Sequence, residues 1–350
     1  MTATSQAPTA QYRVVNPATG ELVEEFATAT DADIQNALSA AHGAYLEWRD
    51  WPIEERARIV ARIGELFVER ADELAAIVNE EMGKSRTSGR GEAEFAGSVF
   101  EYFATEGPAL AADMPITAIG GKAVIQKRPV GALLGIMPWN YPFVLVARFA
   151  APNLILGNTI VLKHAPNCPR SALAMEQIMR DSGLPRGAYV NVFATNAQVE
   201  DMIADPRIQG VSLTGSVRAG SAIAEIAGRH LKKTVLELGG SDPYVVLDSA
   251  DVRASATAAW TTRMANVGQA CNSNKRMIVM EDIFDEFVAE MAELAKALKP
   301  ATPGVDASGT YAPMVSRQAA EELSAQVQDA VAKGATLHAG GQILDGPGAY

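Results

Sequence analysis

The spacing of apolar positions changes along the chain, and each change marks a different kind of element. Val15 to Glu25 alternates around the turn sequence Asn16-Pro-Ala-Thr-Gly20, which predicts a short hairpin. Between residues 31 and 107 the period is helical. Ile34, Ala37, Leu38, Ala41 and Tyr45 share one face, and Ile59, Ile63, Leu66 and Phe67 form another. Leu74, Ile77, Val78 and Met82 continue the pattern. Thr30 and Asp31 are start signals and Gly83 is a stop. A further helix is expected over 92–103, and residues 1–11 are expected to be disordered.

At Gly120 the texture changes. Residues 123–128 are strand-like and 130–137 form a continuous apolar run. Beyond it, short apolar segments at 159–163, 190–193, 210–213, 234–237 and 244–247 read as strands. Helical patterns fit at 143–156, 171–181, 197–204 and 216–228, between those strands. Such alternation predicts an α/β fold with a doubly wound parallel sheet, which binds ligands at the carboxyl ends of its strands. A second unit repeats the alternation: helices at 252–266, 283–298 and 316–333, and strands at 276–281 and 336–339. The sequence stops just after Gly346-Pro-Gly348, a turn, so the second unit reads as unfinished.

Composition narrows the function classes. The 350 residues are 48% hydrophobic and 20% charged, the balance of a soluble globular protein large enough for two domains. A net charge of −11 argues against nucleic acid and against an anionic membrane surface, both of which need concentrated basic residues. No apolar run reaches the roughly 20 residues that span a bilayer. Met1 to Ala10 lacks the basic and apolar parts of a secretory signal, and there are only two cysteines, Cys168 and Cys271. A cytoplasmic location is therefore expected. The four histidines are scattered, so no metal site is expected.

Five strand-end or loop features could carry chemistry. Cys271 lies in a polar, glycine-containing connection between a helix and a strand, where catalytic residues concentrate. A free cysteine is more often a small core residue. Glu237 ends a strand before Leu238-Gly-Gly240 and reads as a general base, or as a surface carboxylate in a turn. Burial beside a thiol would raise its pKa. Lys163 also ends a strand, either to meet a ribose or phosphate or to reach solvent. Thr214-Gly-Ser216 opens a helix, with Ser216 as N-cap, and that end is an anion site suited to a pyrophosphate or a plain cap. Asn140, between Pro138 and Pro142, is an oxyanion donor or a turn residue. No Gly-x-Gly-x-x-Gly loop follows any strand. What separates these from five ordinary positions is that the first four of them in chain order fall on the expected ligand side, ahead of a candidate nucleophile.

Together these motifs resemble the aldehyde dehydrogenase superfamily, over essentially the whole chain. The matching segments are Pro138-Trp-Asn-Tyr-Pro-Phe143, Val161-Leu-Lys163, Leu213-Thr-Gly-Ser216, Leu236-Glu-Leu-Gly-Gly240 and Gly268-Gln-Ala-Cys271, in family order and spacing. Lys163-His-Ala-Pro-Asn167 and Gly239-Gly-Ser-Asp-Pro243 look most like the bacterial succinate-semialdehyde dehydrogenase [NAD(P)+] branch. The resemblance implies a Rossmann-type cofactor domain, a second α/β catalytic domain, here incomplete, and an oligomerisation hairpin. Its boundaries would be 1–119 for the N-terminal helical part, 120–137 for the hairpin, 138–238 for the cofactor core and 239–350 for the catalytic domain. It implies oxidation of succinate semialdehyde, or another short aldehyde acid, with NAD or NADP as hydride acceptor. Cys271 would be the nucleophile, Glu237 the activator of water, and Asn140 the oxyanion donor, with Lys163 beside them. Trp139, Asn140, Lys163, His164, Ala165, Pro166, Gly215, Ser216 and Leu238 would hold the cofactor. Arg148 would pair with the substrate's distal carboxylate, as a guanidinium fork suits.

Three departures qualify this expectation. A second carboxylate-binding Arg found upstream of the nucleophile in many relatives is replaced by Ala265, with Arg263 nearby but out of register. A Glu that holds the ribose in NAD-selective relatives is replaced by Pro166, so NADP should be accepted. Family members continue beyond residue 350, so the chain reads as truncated at its C-terminus. A homo-oligomer is the family expectation, one that a shortened chain puts in question. A cofactor-binding remnant without turnover is the alternative, and cofactor-induced thermal stabilisation without product would identify it.

Overall fold

The computed structural model describes residues 11–248 and 250–350. The expectation of disorder therefore falls, for residues 1–10, outside the described residues. The hairpin is present: β1 (Tyr12–Val15) pairs antiparallel with β2 (Leu22–Phe26). Four helices follow: α1 (Asp31–Trp48), α2 (Ile53–Glu69), α3 (Ala71–Met82) and α4 (Arg86–Ala111). Thr30 caps α1 in a reciprocal capping box with Asp33, which supplies the start signal read at Thr30 and Asp31. Gly83 ends α3 at φ 81°, a left-handed conformation that glycine adopts without strain. Helix α4 starts six residues before the expected position. Its first turn is polar and glycine-bearing, but Ser85 caps it and the Asp306 carboxylate accepts from the Arg86 and Thr87 amides. Gly89 is there for packing, because a Cβ would lie 2.8 Å from Val78.

A two-stranded antiparallel hairpin, β3 (Met114–Ile116) with β4 (Ala123–Ile125), precedes the main sheet. This divides the expected 120–137 unit. Its second half is β5 (Ala132–Ile136), the central strand of a five-stranded parallel sheet, and not part of the hairpin. Leu134 and Ala132 are fully buried, so a two-stranded surface ribbon could not accommodate them.

The sheet continues through α5 (Pro142–Leu156), β6 (Thr159–Lys163), α6 (Pro169–Asp181), β7 (Tyr189–Asn191), α7 (Asn196–Ala204), β8 (Ile208–Thr214), α8 (Val217–Arg229) and β9 (Lys233–Glu237). Its order is β7-β6-β5-β8-β9, and every pairing is parallel. Ile160 and Leu162 point into one core with α2, α4 and α5, while Val161, Leu134 and Val211 point into another with α1, α7 and α8. The sheet is thus covered from both sides, as its near-continuous apolar strands require. The strand order reverses between β5 and β8, and a crevice opens there at the carboxyl ends.

The second unit is smaller. β10 (Asp242–Val246) pairs in parallel with β11 (Asn274–Val279), and both lie against α9 (Val252–Met264) and α10 (Glu281–Ala297). Helix α11 (Arg317–Ala332) follows. The strand expected over 336–339 is absent among the described residues: the segment is irregular, exposed for most of its length and without a paired neighbour. Local alternation alone does not make a strand without a ladder partner.

Candidate active site

The loop after β5 is built from local constraints. Pro138 and Pro142 flank it, and Pro142 serves as the first residue of α5. The Met137 amide donates to the Lys163 carbonyl at 3.2 Å, tying this loop to the end of β6. Asn140 sits half-buried at its apex. Its Oδ1 accepts from the Tyr141 amide at 3.1 Å, and its Nδ2 donates to the Gln269 carbonyl at 3.0 Å.

Gln269 belongs to the segment that carries Cys271. After α9 the chain makes a 3-10 turn, Ala265–Gly268, in which Asn266 and Val267 hold φ 51° and 57°. A branched side chain at positive φ is costly, so surrounding bonds must hold it there. Asn266 Nδ2 donates to the Asn140 and Gln269 carbonyls, and Gln269 Nε2 donates to the Asn266 carbonyl. Arg263 folds back to donate to Ser273 Oγ at 2.9 Å, and a Cβ on Gly268 would lie 2.9 Å from its guanidinium. Arg263 therefore braces the loop. Ala265 opens the 3-10 turn.

Cys271 is exposed, and Cys168 is fully buried. The position-based alternative of a core thiol thus fits Cys168. Cys271 lines a cavity of about 580 Å³ with Glu237, Arg148, Thr214, Leu145 and Phe149. The cavity runs along the β8–β9 edge beside α5. Glu237 pairs in register with Thr214 at the end of β9 and is exposed, so the burial expected for it beside the thiol is not found. The cavity lies at the sheet surface, where β9 has one open face. Arg148, on α5, makes no hydrogen bond or ion pair among the described residues, and its guanidinium is exposed to the cavity.

The residues expected to hold the cofactor lie at and after the neighbouring strand ends. Lys163 is 7% exposed, and its ammonium has no hydrogen bond or ion pair among the described residues; it lies 5.8 Å from the centre of the Tyr12 ring. Burial pushes it down to about 8. A buried, unpartnered donor at a strand end fits a ribose hydroxyl or phosphate. His164 is fully buried, and burial pushes it down to about 4, so it is neutral near pH 7. Its Nδ1 accepts from the Ala165 amide. The Pro166 carbonyl accepts from the Arg13 amide, so the hairpin β1–β2 supports this loop. Ser216 caps α8, accepting from the Ala219 amide, and the Gly215 amide donates to the Glu237 carbonyl. The free amides at that helix end offer positive partial charge to an anion. Trp139 packs against the larger core and Leu238 against α8. Asn140 contacts the loop that carries Cys271, while Arg148, Glu237 and Cys271 share the cavity. Lys163, Ser216 and Leu238 do not line it.

Two further residues beside the Asn140 loop carry no sequence signal. Lys84 and Glu92 form a buried ion pair beneath Asn140. From sequence Lys84, just past the Gly83 stop, would read as a solvated loop residue and Glu92 as a solvated helix residue, and their contacts with the Asn140 loop and α5 lie far along the chain. Among the described residues no group of three or more metal-ligating side chains occurs, and no helix is long and apolar enough to cross a membrane.

The aldehyde dehydrogenase family profile matches residues 3–350. The succinate-semialdehyde dehydrogenase [NADP(+)] of Deinococcus radiodurans is 49% identical, over 100% of this chain and 74% of that relative. The crystal structure of succinic semialdehyde dehydrogenase from Streptococcus pyogenes in complex with NADP+ superposes with a TM-score of 0.93 at 36% identity, over 97% of this chain and 74% of that one. Lactaldehyde dehydrogenase from Escherichia coli superposes almost as well, with a TM-score of 0.92 at 34% identity, over 97% and 71%. The backbone alone therefore does not select the aldehyde.

Proposed function

The chain belongs to the aldehyde dehydrogenase family, and from that premise we propose that it oxidises succinate semialdehyde to succinate, with NADP+ or NAD+ as hydride acceptor. The observation that carries this reading is the shared cavity: a thiol, a carboxylate and a guanidinium without an ion pair among the described residues line one mostly apolar space. Cys271 Sγ, as thiolate, attacks the aldehyde carbon. The second Nδ2 hydrogen of Asn140 and the Cys271 amide stabilise the resulting oxyanion. When bound, the nicotinamide supplies the acceptor for the hydride that leaves this carbon, which becomes a thioester. Glu237 takes a proton from water as the water oxygen attacks the thioester, and the Cys271 thiolate departs. Lys163 and the α8 amino end near Gly215 and Ser216 would hold the ribose and pyrophosphate, with Trp139, His164, Ala165, Pro166 and Leu238 as walls. Pro166 puts no negative charge there, which suits a 2′-phosphate.

Arg148 makes succinate semialdehyde the favoured aldehyde, because its guanidinium has no ion pair or hydrogen bond among the described residues to compete with a substrate carboxylate. A reactive thiol at Cys271 fits a reducing compartment, so the cytoplasm is the proposed location. The exposed apolar hairpin, with Met114, Ile116, Val124 and Ile125 at its surface, supports assembly of copies of the chain. The test is turnover of succinate semialdehyde, followed by the absorbance of reduced cofactor, in the wild type and in Cys271→Ala. Turnover that survives Cys271→Ala would overturn the covalent mechanism.

A further inference from the structure

We propose that the buried pair Lys84–Glu92 is a positioning device that sets the Asn140 loop and, through it, the loop of Cys271. The proposal rests on the roles given to Asn140 and Cys271 above. Lys84 lies between the end of α3 and the start of α4, and Glu92 lies within α4; their side chains are 2% and 1% exposed. Each partner does more than satisfy the other. Glu92 Oε2 accepts from the Lys84 ammonium, while its Oε1 accepts from the Phe143 amide at 2.9 Å and the Val144 amide at 3.4 Å. Those are orphan donors of the first turn of α5, so Glu92 fixes the start of the helix that carries Arg148. Lys84 Nζ donates to the Asn140 carbonyl at 2.8 Å and lies 3.9 Å from the centre of the Tyr141 ring.

The Asn140 carbonyl is the shared node. It accepts from Lys84 on one side and from Asn266 Nδ2 at 3.1 Å on the other. Asn266 is the first of three consecutive residues at positive φ, Asn266 to Gly268, just ahead of Cys271. A rigid cation on one lone pair and a strained loop on the other give Asn140 one orientation, with its own Nδ2 held on Gln269. A buried pair of this kind is weak evidence for stability. Its bonds here run to the two loops that carry the reacting groups, which fits a role in setting geometry. Lys84 and Glu92 do not line the cavity and act through Asn140 and the start of α5, so they are positioning residues.

The test uses two variants of the whole chain. Lys84→Met combined with Glu92→Gln removes both charges and keeps an acceptor for the α5 amides. Asn266→Gly cuts the bond from the loop side and tolerates positive φ. The expected result in both is kcat lowered at least tenfold with KM for the aldehyde changed less than threefold, and an altered rate of Cys271 alkylation by iodoacetamide. Adding Asn140→Ala to either variant should cost little more, because the effects act through the same residue. A folded variant with wild-type kcat and wild-type alkylation rate would overturn the proposal, and so would full additivity with Asn140→Ala. If the charge-removing variant does not fold, Asn266→Gly decides the matter by the same readings. The alkylation arm needs no aldehyde, so failure of the substrate assignment would show as absent wild-type turnover with the alkylation differences intact.

Discussion

Replacing Arg148 with Met keeps an apolar stem against Leu145 and Phe149 and removes only the charged fork. The magnitude follows from the surroundings. Among the described residues Arg148 has no ion pair to break before it can take a substrate carboxylate, so the full new interaction is available to binding. In open water a pair of charges at 4 Å gives only about 1 kcal/mol, and exposed ion pairs commonly give less. A charge-assisted, two-pronged hydrogen bond against mostly apolar walls gives about 1.5–3 kcal/mol. The cavity is partly open, which argues for the lower half of that range. About 2 kcal/mol corresponds to a loss of about 30-fold in kcat/KM for succinate semialdehyde. Butanal, which has the chain but no carboxylate, should lose less than about threefold. Arg148→Lys should recover part of the loss, since an ammonium lacks the planar fork. The assay is the ratio of kcat/KM for the two aldehydes at fixed cofactor concentration. A ratio unchanged in Arg148→Met would refute the pairing and leave the distal carboxylate without a recognised partner.

Lys163, pushed down to about 8 by burial, is protonated below that pH and neutral above it. Affinity of the free protein for NADP+ should therefore weaken as pH rises through about 8, measured by calorimetric titration; the same pH dependence in Lys163→Met would rule this out. Burial raises Glu81 to about 8 even though it accepts from the Arg170 and Ser171 amides. Its folded value lies above its unfolded one, so its contribution is complete below the ordinary carboxyl range and is lost as pH rises through about 8. Urea midpoints should fall over that window in the wild type, and a slope just as steep in Glu81→Gln would contradict the assignment. Phe67, fully buried against Phe100 and Phe143, should cost about 3–5 kcal/mol when replaced by Ala. A loss under about 1 kcal/mol in urea melts would mean that this core collapses around the gap.

The parallel sheet was legible because each of its strands is a short apolar run closed by Gly, Pro or a polar residue. β6 coincides with its expected bounds, and β8 and β9 extend the expected ones by one to two residues. What misled was the family outline. Residues 120–137 were expected as one hairpin because the resemblance implied it, yet 123–125 lie largely exposed in β4 and 132–136 are largely buried as β5. The difference lies in partners: β4 has only β3, while β5 has β6 and β8. Sequence gives the period of a strand, and neighbours decide whether that strand is surface or core. The same reasoning accounts for 336–339, where the alternation was real but no partner ladder formed.

The site divides along a similar line. Glu237, Lys163 and Ser216 could be singled out as candidates because a strand end has a sequence signature and the ligand side of a doubly wound sheet is fixed by topology. Cys271 could not be separated from Cys168 by position; the motifs around it made the choice, and the contrast between an exposed and a fully buried thiol agrees with them. The bonds that hold the reacting groups in register are of another kind. Asn140 to Gln269, Asn266 to Asn140 and Lys84 to Asn140 all join segments remote in sequence, through side-chain-to-backbone contacts. No periodicity or capping rule encodes such a contact, because the carbonyl it uses is present in every residue. The chemistry of this fold is therefore written in residue types, whereas its precision depends on a few polar side chains, Lys84 and Asn266 among them, whose importance follows from what the fold brings beside them.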